Sequence, residues 1–318
     1  MSDKSNVELA PGLSVVVPVY NSAAILPELV RRLEPVLKSG GKAFEVIFVN
    51  DSSRDESWSV IQGLAAGHNW VRGLCMMRNY GQHNAVLAGI RAARFDITVT
   101  LDDDLQHPPE ELPKLLGKFA EGCDVVYAPP LREQHGMLRD LASIITKLAL
   151  QSAMGAETGR MVSAWRIFRT QLRDAFAAFN SPFVSIDVLL TWATTNFGAI
   201  RLRHEPRTIG KSNYTIGKLL RHAVNMMTGF SVLPLQFASV VGFAFTLFGI
   251  GVLVYVLGSY FATGKSVAGF PFLASIIAIF SGAQLFALGI IGEYLARMHF
   301  RTMDKPSYSV RETAGGGQ

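Results

Sequence analysis

Between Ala223 and Gly292 the chain carries a single charged residue, Lys265. Two apolar runs lie there, about Leu233 to Phe261 and about Phe270 to Gly292, joined by the short loop that holds that lysine. Each is long enough to cross a hydrocarbon core of roughly 30 Å as a helix. The alternative is a buried hairpin of a soluble protein, but two uncharged runs of this length joined by so short a loop favour the membrane. Composition agrees. Hydrophobic residues make up 49% of the 318 and charged ones only 17%, at a mean hydropathy of +0.25, and the excess is concentrated near the C-terminus.

The flanks of the hairpin suggest its orientation. Lys211, Lys218 and Arg221 precede it and Arg297, Arg301 and Lys305 follow, against Lys265 alone between the spans. Positive charge gathers on the cytoplasmic side, so both termini are expected there. Met1 to Pro11 is polar and holds no apolar signal core, which agrees with a cytoplasmic first domain. Ile216, Leu219, Leu220, Ala223, Val224 and Met227 recur at helical spacing opposite Lys218, Arg221, His222 and Asn225. That pattern fits a helix lying on the membrane surface, or one packed on the domain. Gln284 is expected to face the partner helix or a headgroup rather than lipid. Gly242, Gly249, Ala283 and Ala287 permit close helix approach, within one chain or in a homo-oligomer. The tail from Thr313 to Gln318 is expected to be disordered.

The net charge of +5 is spread thinly, with no basic stripe interleaved with aromatics, so no nucleic-acid partner is expected. Cys75 and Cys123 stand in strand and pre-strand contexts, which suits burial as small hydrophobes rather than a redox role.

Before the apolar region, strands alternate with helices. Leu13 to Val19, Phe44 to Val49, Gly73 to Met77, Ile97 to Leu101 and Asp124 to Ala128 are short apolar runs that read as buried strands. Helices are expected at about Ile25 to Lys38, from Ser57, at Ala85 to Arg94 and at Glu110 to Glu121. This order predicts a mostly parallel sheet with helices on both faces. Further helices are expected near Thr170 to Phe179 and Ser185 to Thr195, then a strand at Ala199 to His204.

The fourth strand ends on Asp102, Asp103 and Asp104, and Pro108 and Pro109 then open the next helix. Carboxylates at the carboxyl end of a buried strand sit where open α/β sheets bind ligands. Three adjacent negative charges fit either a solvated acidic turn or a site for a hard divalent cation shared with a diphosphate.

Val17 to Asn21, Asn50 to Asp55, Arg78 to His83, Asp102 to Glu110 and Arg207 to Ser212 resemble, in order, the motifs of family 2 glycosyltransferases. More narrowly they resemble the polyisoprenyl-phosphate glycosyltransferases, and the likeness includes the terminal pair of membrane helices. It implies an α/β fold of the GT-A type, a nucleotide-sugar donor, expected to be UDP-linked, and Mg²⁺ or Mn²⁺. Pro18, Tyr20 and Asn21 would line the base and ribose pocket, with Asp51 on the base. Asp102 would meet ribose or diphosphate, with Asp103 beside it, and Gln82 the sugar or its diphosphate. Asp104 and Gln106 would hold the metal. Ser22, Ser52, Asp103, Glu157 and Asn213 depart from residues common in that group.

The implied acceptor is a lipid phosphate, which needs positioning and charge neutralisation. Arg132, Arg139 and Arg207 are candidates, with Lys211 and Ser212 beside the last, because a guanidinium grips phosphate with two bonds. Each also reads as a surface cation. Glu157 fits acceptor orientation, general base or helix cap, and His83 fits a structural role or a sugar contact.

The expected organisation is a GT-A domain at residues 1–210, a juxtamembrane helix at 211–231, a hairpin at 232–296 and a cytoplasmic tail at 297–318. The expected activity is inverting transfer of a sugar to a polyprenyl phosphate, undecaprenyl phosphate in a bacterial inner membrane, for the cell envelope. Its rivals are transfer to another lipid or polysaccharide acceptor, and a non-catalytic membrane scaffold.

Overall fold

The computed structural model describes residues 9–131, 159, 161–205, 233–264 and 269–316. β1 (Ala10–Val19) is buried over its last eight residues, and β2 (Phe44–Asn50) over its last six. A strand apolar on both faces needs a helix layer on each side. Val15, Val17 and Val19 point to one layer, where α1 (Leu26–Ser39) buries Leu26, Leu29 and Leu33. Val16, Ile47 and Val49 point to the other, against Ala85 and Ala88 of α3 (Gln82–Ala92). α3 can lie this close because residue 89 is glycine. A Cβ there would stand 2.3 Å from Val16 Cγ1.

β3 (Val71–Met76) follows α2 (Ser57–Gly67), and β4 (Phe95–Thr100) follows α3. A 3₁₀ turn (Pro109–Glu111) leads into α4 (Leu112–Phe119) and β5 (Val125–Tyr127). Then come β6 (Arg166–Arg169), a 3₁₀ segment (Thr170–Phe176), α5 (Ile186–Thr191) and β7 (Phe197–Ala199). The strands form one sheet in the order β7-β5-β6-β4-β1-β2-β3 with β8 (Val310–Ala314) at the far edge. β1 pairs in parallel with both β2 and β4, so the chain builds outward on one side of β1 and then crosses to the other. The carboxyl ends of β1 and β4 therefore flank the crevice at the switch point of the sheet.

Several sequence expectations need correction. Most pairings are parallel, as expected, but β6 runs antiparallel to β4 and β5, and β8 antiparallel to β3. β6 escapes a periodicity reading because Arg166 interrupts its apolar run, yet that arginine is buried and paired with Asp187. The helix expected at Thr170 to Phe179 is the 3₁₀ segment, and in place of the strand expected at Ala199 to His204 the chain has β7, which ends at Ala199, and then a single bridge from Leu202 to Pro130. The tail is not disordered through Ala314: Gly73, Leu74 and Cys75 pair with Ala314, Thr313 and Glu312. Cys75 is buried and Cys123 partly so, both free thiols, in keeping with a packing role.

α6 (Leu233–Thr263) and α7 (Phe270–Thr302) form an apolar hairpin. Within them Pro234–Ala262 and Ile279–His299 are long and apolar enough to cross a membrane. Phe237, Phe243, Leu247 and Leu253 are exposed, and the helices meet where Phe245 and Phe280 stack edge-on at 5.5 Å. Gly249 faces Phe280 there, whereas Gly242 faces open space. Gln284 is exposed, so the first helix does not cover it.

Candidate active site

Three strand exits turn sharply at the crevice. Asn21 after β1, Ser52 after β2 and Leu105 after β4 all take left-handed backbone angles, at φ 56°, 55° and 59°. For Leu105 that conformation costs about 1–2 kcal/mol, offset by burial of its side chain in the core. Pro18 explains how the crevice opens. The main chain of Val16 faces β4, its carbonyl accepting from Leu101 N–H at 3.2 Å. Pro18, two residues on, faces the same way with no N–H to offer, and the β1–β4 ladder ends there. Pro18 is itself buried inside β1 opposite Val49, so it shapes the crevice from beneath.

On the β2 side, Asp51 is buried and its two oxygens accept from the N–H groups of Tyr80 at 2.7 Å and Gly81 at 2.8 Å. Burial pushes its carboxyl above the usual range, and those two bonds oppose the rise. The carboxylate thus fixes the loop that starts α3. From that helix Gln82 donates to Asp102 Oδ1 at 2.6 Å. His83 accepts from Ile186 N–H at 3.4 Å, a structural contact with the first turn of α5. Around β1, Asn21 accepts from Arg54 N–H at 2.8 Å, and Ser22 N–H donates to Ser57 Oγ at 2.9 Å. Tyr20 is exposed at the rim, where its N–H donates to Asp103 Oδ2 at 3.3 Å.

The acidic turn is folded inward. Asp104 is buried, and its Oδ1 accepts from Gln106 N–H at 3.1 Å. Burial drives the Asp103 carboxyl upward, the Ser22 hydroxyl and Tyr20 N–H oppose it, and the charge of Asp104 adds to the rise. Behind the turn, His107 packs on Trp165 at 5.3 Å and on His204 at 4.8 Å. Burial holds His107 down to about 3, with the charges of His204 and Arg166 contributing. The Glu205 N–H donates to Gln106 O at 2.9 Å, which closes the clamp. Beneath it, Arg166 donates to Asp187 and to Thr100 Oγ1, two residues before Asp102.

Asp102, Asp104 and the Gln106 amide offer hard oxygen donors of the kind Mg²⁺ and Mn²⁺ prefer. Among the described residues no three His, Cys, Asp or Glu side chains are grouped so as to hold a metal ion by themselves. An open set of this kind fits an ion that takes its remaining ligands from a diphosphate and water.

Of the residues expected at the site, hydrogen bonds join Tyr20 to Asp103, Gln82 to Asp102 and Gln106 N–H to Asp104, and Asp51 holds the loop before Gln82, while Pro18 and Asn21 lie at the end of β1 beside them. Arg132, Arg139, Glu157, Arg207, Lys211 and Ser212 lie outside the described residues, as does the surface helix expected at 211–231. His107, Trp165, Arg166, Asp187 and His204 were not singled out from sequence. His107 adjoins Gln106 and His204 precedes the Arg207 motif, and that adjacency was the available signal.

Residues 14–179 match glycosyl transferase family 2. The undecaprenyl-phosphate 4-deoxy-4-formamido-L-arabinose transferase of Pseudomonas paraeruginosa is 35% identical over 94% of this chain and 89% of its own. The protein of the same name from Shewanella sediminis is 33% identical over 99% and 96%. Glucosyl-3-phosphoglycerate synthase from Mycobacterium tuberculosis, crystallised with Mn²⁺, UDP-glucose and phosphoglyceric acid, superposes with a TM-score of 0.50 at 19% identity. That match covers 69% of this chain and 79% of the synthase, and it bears on the fold, which is GT-A. The chain belongs to glycosyl transferase family 2, and within it to the polyprenyl-phosphate glycosyltransferases.

Proposed function

We propose that this protein moves a sugar from a UDP-linked donor to undecaprenyl phosphate, with inversion at the anomeric carbon. The observation that carries the reading is the convergence of the acidic turn, Asp51 and the first turn of α3 on one switch-point crevice, in a chain whose relatives carry that acceptor in their name. Tyr20 and Asn21 receive base and ribose at the rim, and Asp51 keeps the loop beneath them in place. Gln82 and Asp102 meet the sugar-diphosphate. Bound at Asp104 and Gln106, Mg²⁺ or Mn²⁺ supplies electrostatic relief for the charge that gathers on the departing diphosphate. The solved relative with Mn²⁺ and UDP-glucose supports that choice of ion and nucleotide.

The acceptor is a phosphate monoester with a second pKa of about 6, so it arrives largely as a dianion. Its oxygen forms the new bond on the face of the sugar opposite the nucleotide, and the bond to the diphosphate breaks. Arg207, with Lys211 and Ser212, grips that phosphate, and Arg132 and Arg139 extend the basic surface. Glu157 orients the acceptor or takes its remaining proton.

We read residues 1–210 as the catalytic unit, 211–231 as a surface helix and 232–296 as a two-span anchor in a bacterial inner membrane. The tail, 297–318, sends β8 back to the catalytic sheet. Because β1 precedes the hairpin and β8 follows it in one sheet, both ends of the hairpin fall on one side of the bilayer. The basic flanks make that side the cytoplasm.

The test is a panel of UDP-sugars, 4-deoxy-4-formamido-L-arabinose first, with purified protein, Mn²⁺ and undecaprenyl phosphate. Mass spectrometry should find one sugar on the lipid phosphate. If no donor yields nucleotide release with lipid phosphate and metal present, the enzyme reading fails. Arg207→Ala should mainly raise KM for the lipid, and unchanged acceptor kinetics would remove Arg207 from that role.

A further inference from the structure

The chain that leaves α7 is bound at once to the catalytic domain. Asp304 accepts from Asn180 Nδ2 at 3.0 Å, and Ser307, itself buried, accepts from Ser181 N–H at 3.2 Å. Tyr308 packs against the clusters on both sides of α3, with the Arg91 guanidinium 5.6 Å from its ring. Ser309 O accepts from Met77 N–H at 2.9 Å, Arg311 donates to Met77 O at 2.8 Å, and β8 completes the sheet. One side chain of α3 joins this segment to the donor crevice. Asn84 is buried and donates to Ser307 O at 2.5 Å and to Pro182 O at 3.3 Å. It stands half a helical turn from Gln82, which holds Asp102. The first turn of α3 is thus bonded to the acidic turn at one end and to the membrane exit at the other.

We infer that Asn84 is a positioning residue, through which the segment Asp304–Ala314 fixes the donor crevice relative to the membrane hairpin and so to a lipid-borne acceptor. The inference rests on the crevice being the donor site. Its physical basis is that a phosphate fixed in a bilayer cannot follow a crevice that tilts, whereas a dissolved one can. The clasp should therefore matter for the lipid acceptor and little for a soluble one. Misplacement by about 1 Å costs up to ~10²-fold in rate.

The full chain in lipid nanodiscs tests this with Asn84→Asp, which aims a carboxylate at two carbonyls, and with Tyr308→Ala, which loosens the clasp away from the crevice. Turnover is compared for undecaprenyl phosphate and a short water-soluble prenyl phosphate. UDP affinity is measured separately, as is hydrogen exchange over residues 307–314. Both variants should lose about tenfold or more in kcat/KM for the bilayer acceptor and keep the soluble acceptor and UDP within about threefold. Exchange over 307–314 should speed up. Equal losses with both acceptors, or full lipid turnover while exchange is faster, would overturn the proposal, as would unchanged exchange in both variants. If Asn84→Asp fails to fold, Tyr308→Ala decides alone. A wild-type protein that binds no UDP and turns over neither acceptor would sink the donor assignment instead, while unchanged exchange over 307–314 in both variants would still overturn the clasp.

Discussion

α3 and α6 each carry an apolar stretch with a glycine inside it, Ala85–Ile90 in the first and almost the whole helix in the second, yet they answer to different surroundings. α3 buries Asn84 through Ile90 without a break, and at Gly89 a single added carbon would collide with Val16. α6 turns Phe237, Phe243 and Leu247 outward, and at Gly242 an added carbon would meet nothing. Apolarity alone does not say whether a helix is solvated by protein or by lipid. The difference lies in how tightly its glycines are held and in what its large side chains touch.

That contrast can be broken most severely under the crevice. Arg166→Leu leaves Asp187 buried without its charge partner, and breaking such a pair costs about 3–5 kcal/mol. Denaturant unfolding of the detergent-solubilised protein should register it, with far less loss when Asp187→Leu is added. Asp104→Asn probes chemistry rather than packing. Turnover should fall by about 10²–10³ or more with the melting temperature little changed, and normal turnover would remove the metal assignment. Gly89→Ala should then destabilise by about 1–3 kcal/mol through overpacking, while Gly242→Ala should stay within about 0.5 kcal/mol. Similar shifts at both sites would erase the distinction between the helices.

The smallest effect per step is a pH slope. His107 is held neutral in the folded state at about 3 against an ordinary 6.5, so the unfolded chain binds the proton first on acidification. Its contribution is intact above 6.5 and is lost as the pH falls toward 3, at up to about 1.4 kcal/mol per unit. Asp51 works in the opposite sense: its raised carboxyl is least costly in acid and penalises folding as pH rises through its folded value. Stability measured from pH 7 to 4 with chelator present should fall less steeply in His107→Gln than in the parent.

The parallel half of the sheet was legible because β1 and β2 are apolar on both faces over Val15–Val17 and Val46–Val49, a pattern that suits a doubly covered strand. β6 was not, since the partner that makes Arg166 acceptable inside lies 21 residues later at Asp187. β8 was hidden for the converse reason: Val310 to Glu312 are exposed, so nothing in their pattern signals a strand, and pairing with β3 alone defines it. The acidic turn could be read as a site because three carboxylates on a strand end demand an explanation. The packing of His107, Trp165 and His204 behind it depends on residues nearly a hundred positions apart, and no local pattern joins them.

The return of β8 also dictates an order of assembly. During synthesis this strand emerges after both apolar helices, so the outer edge of β3 stays open until the hairpin has been made. An open edge invites pairing with other chains. Synthesis that halts before Val310 therefore leaves the catalytic sheet with an adhesive flank along β3.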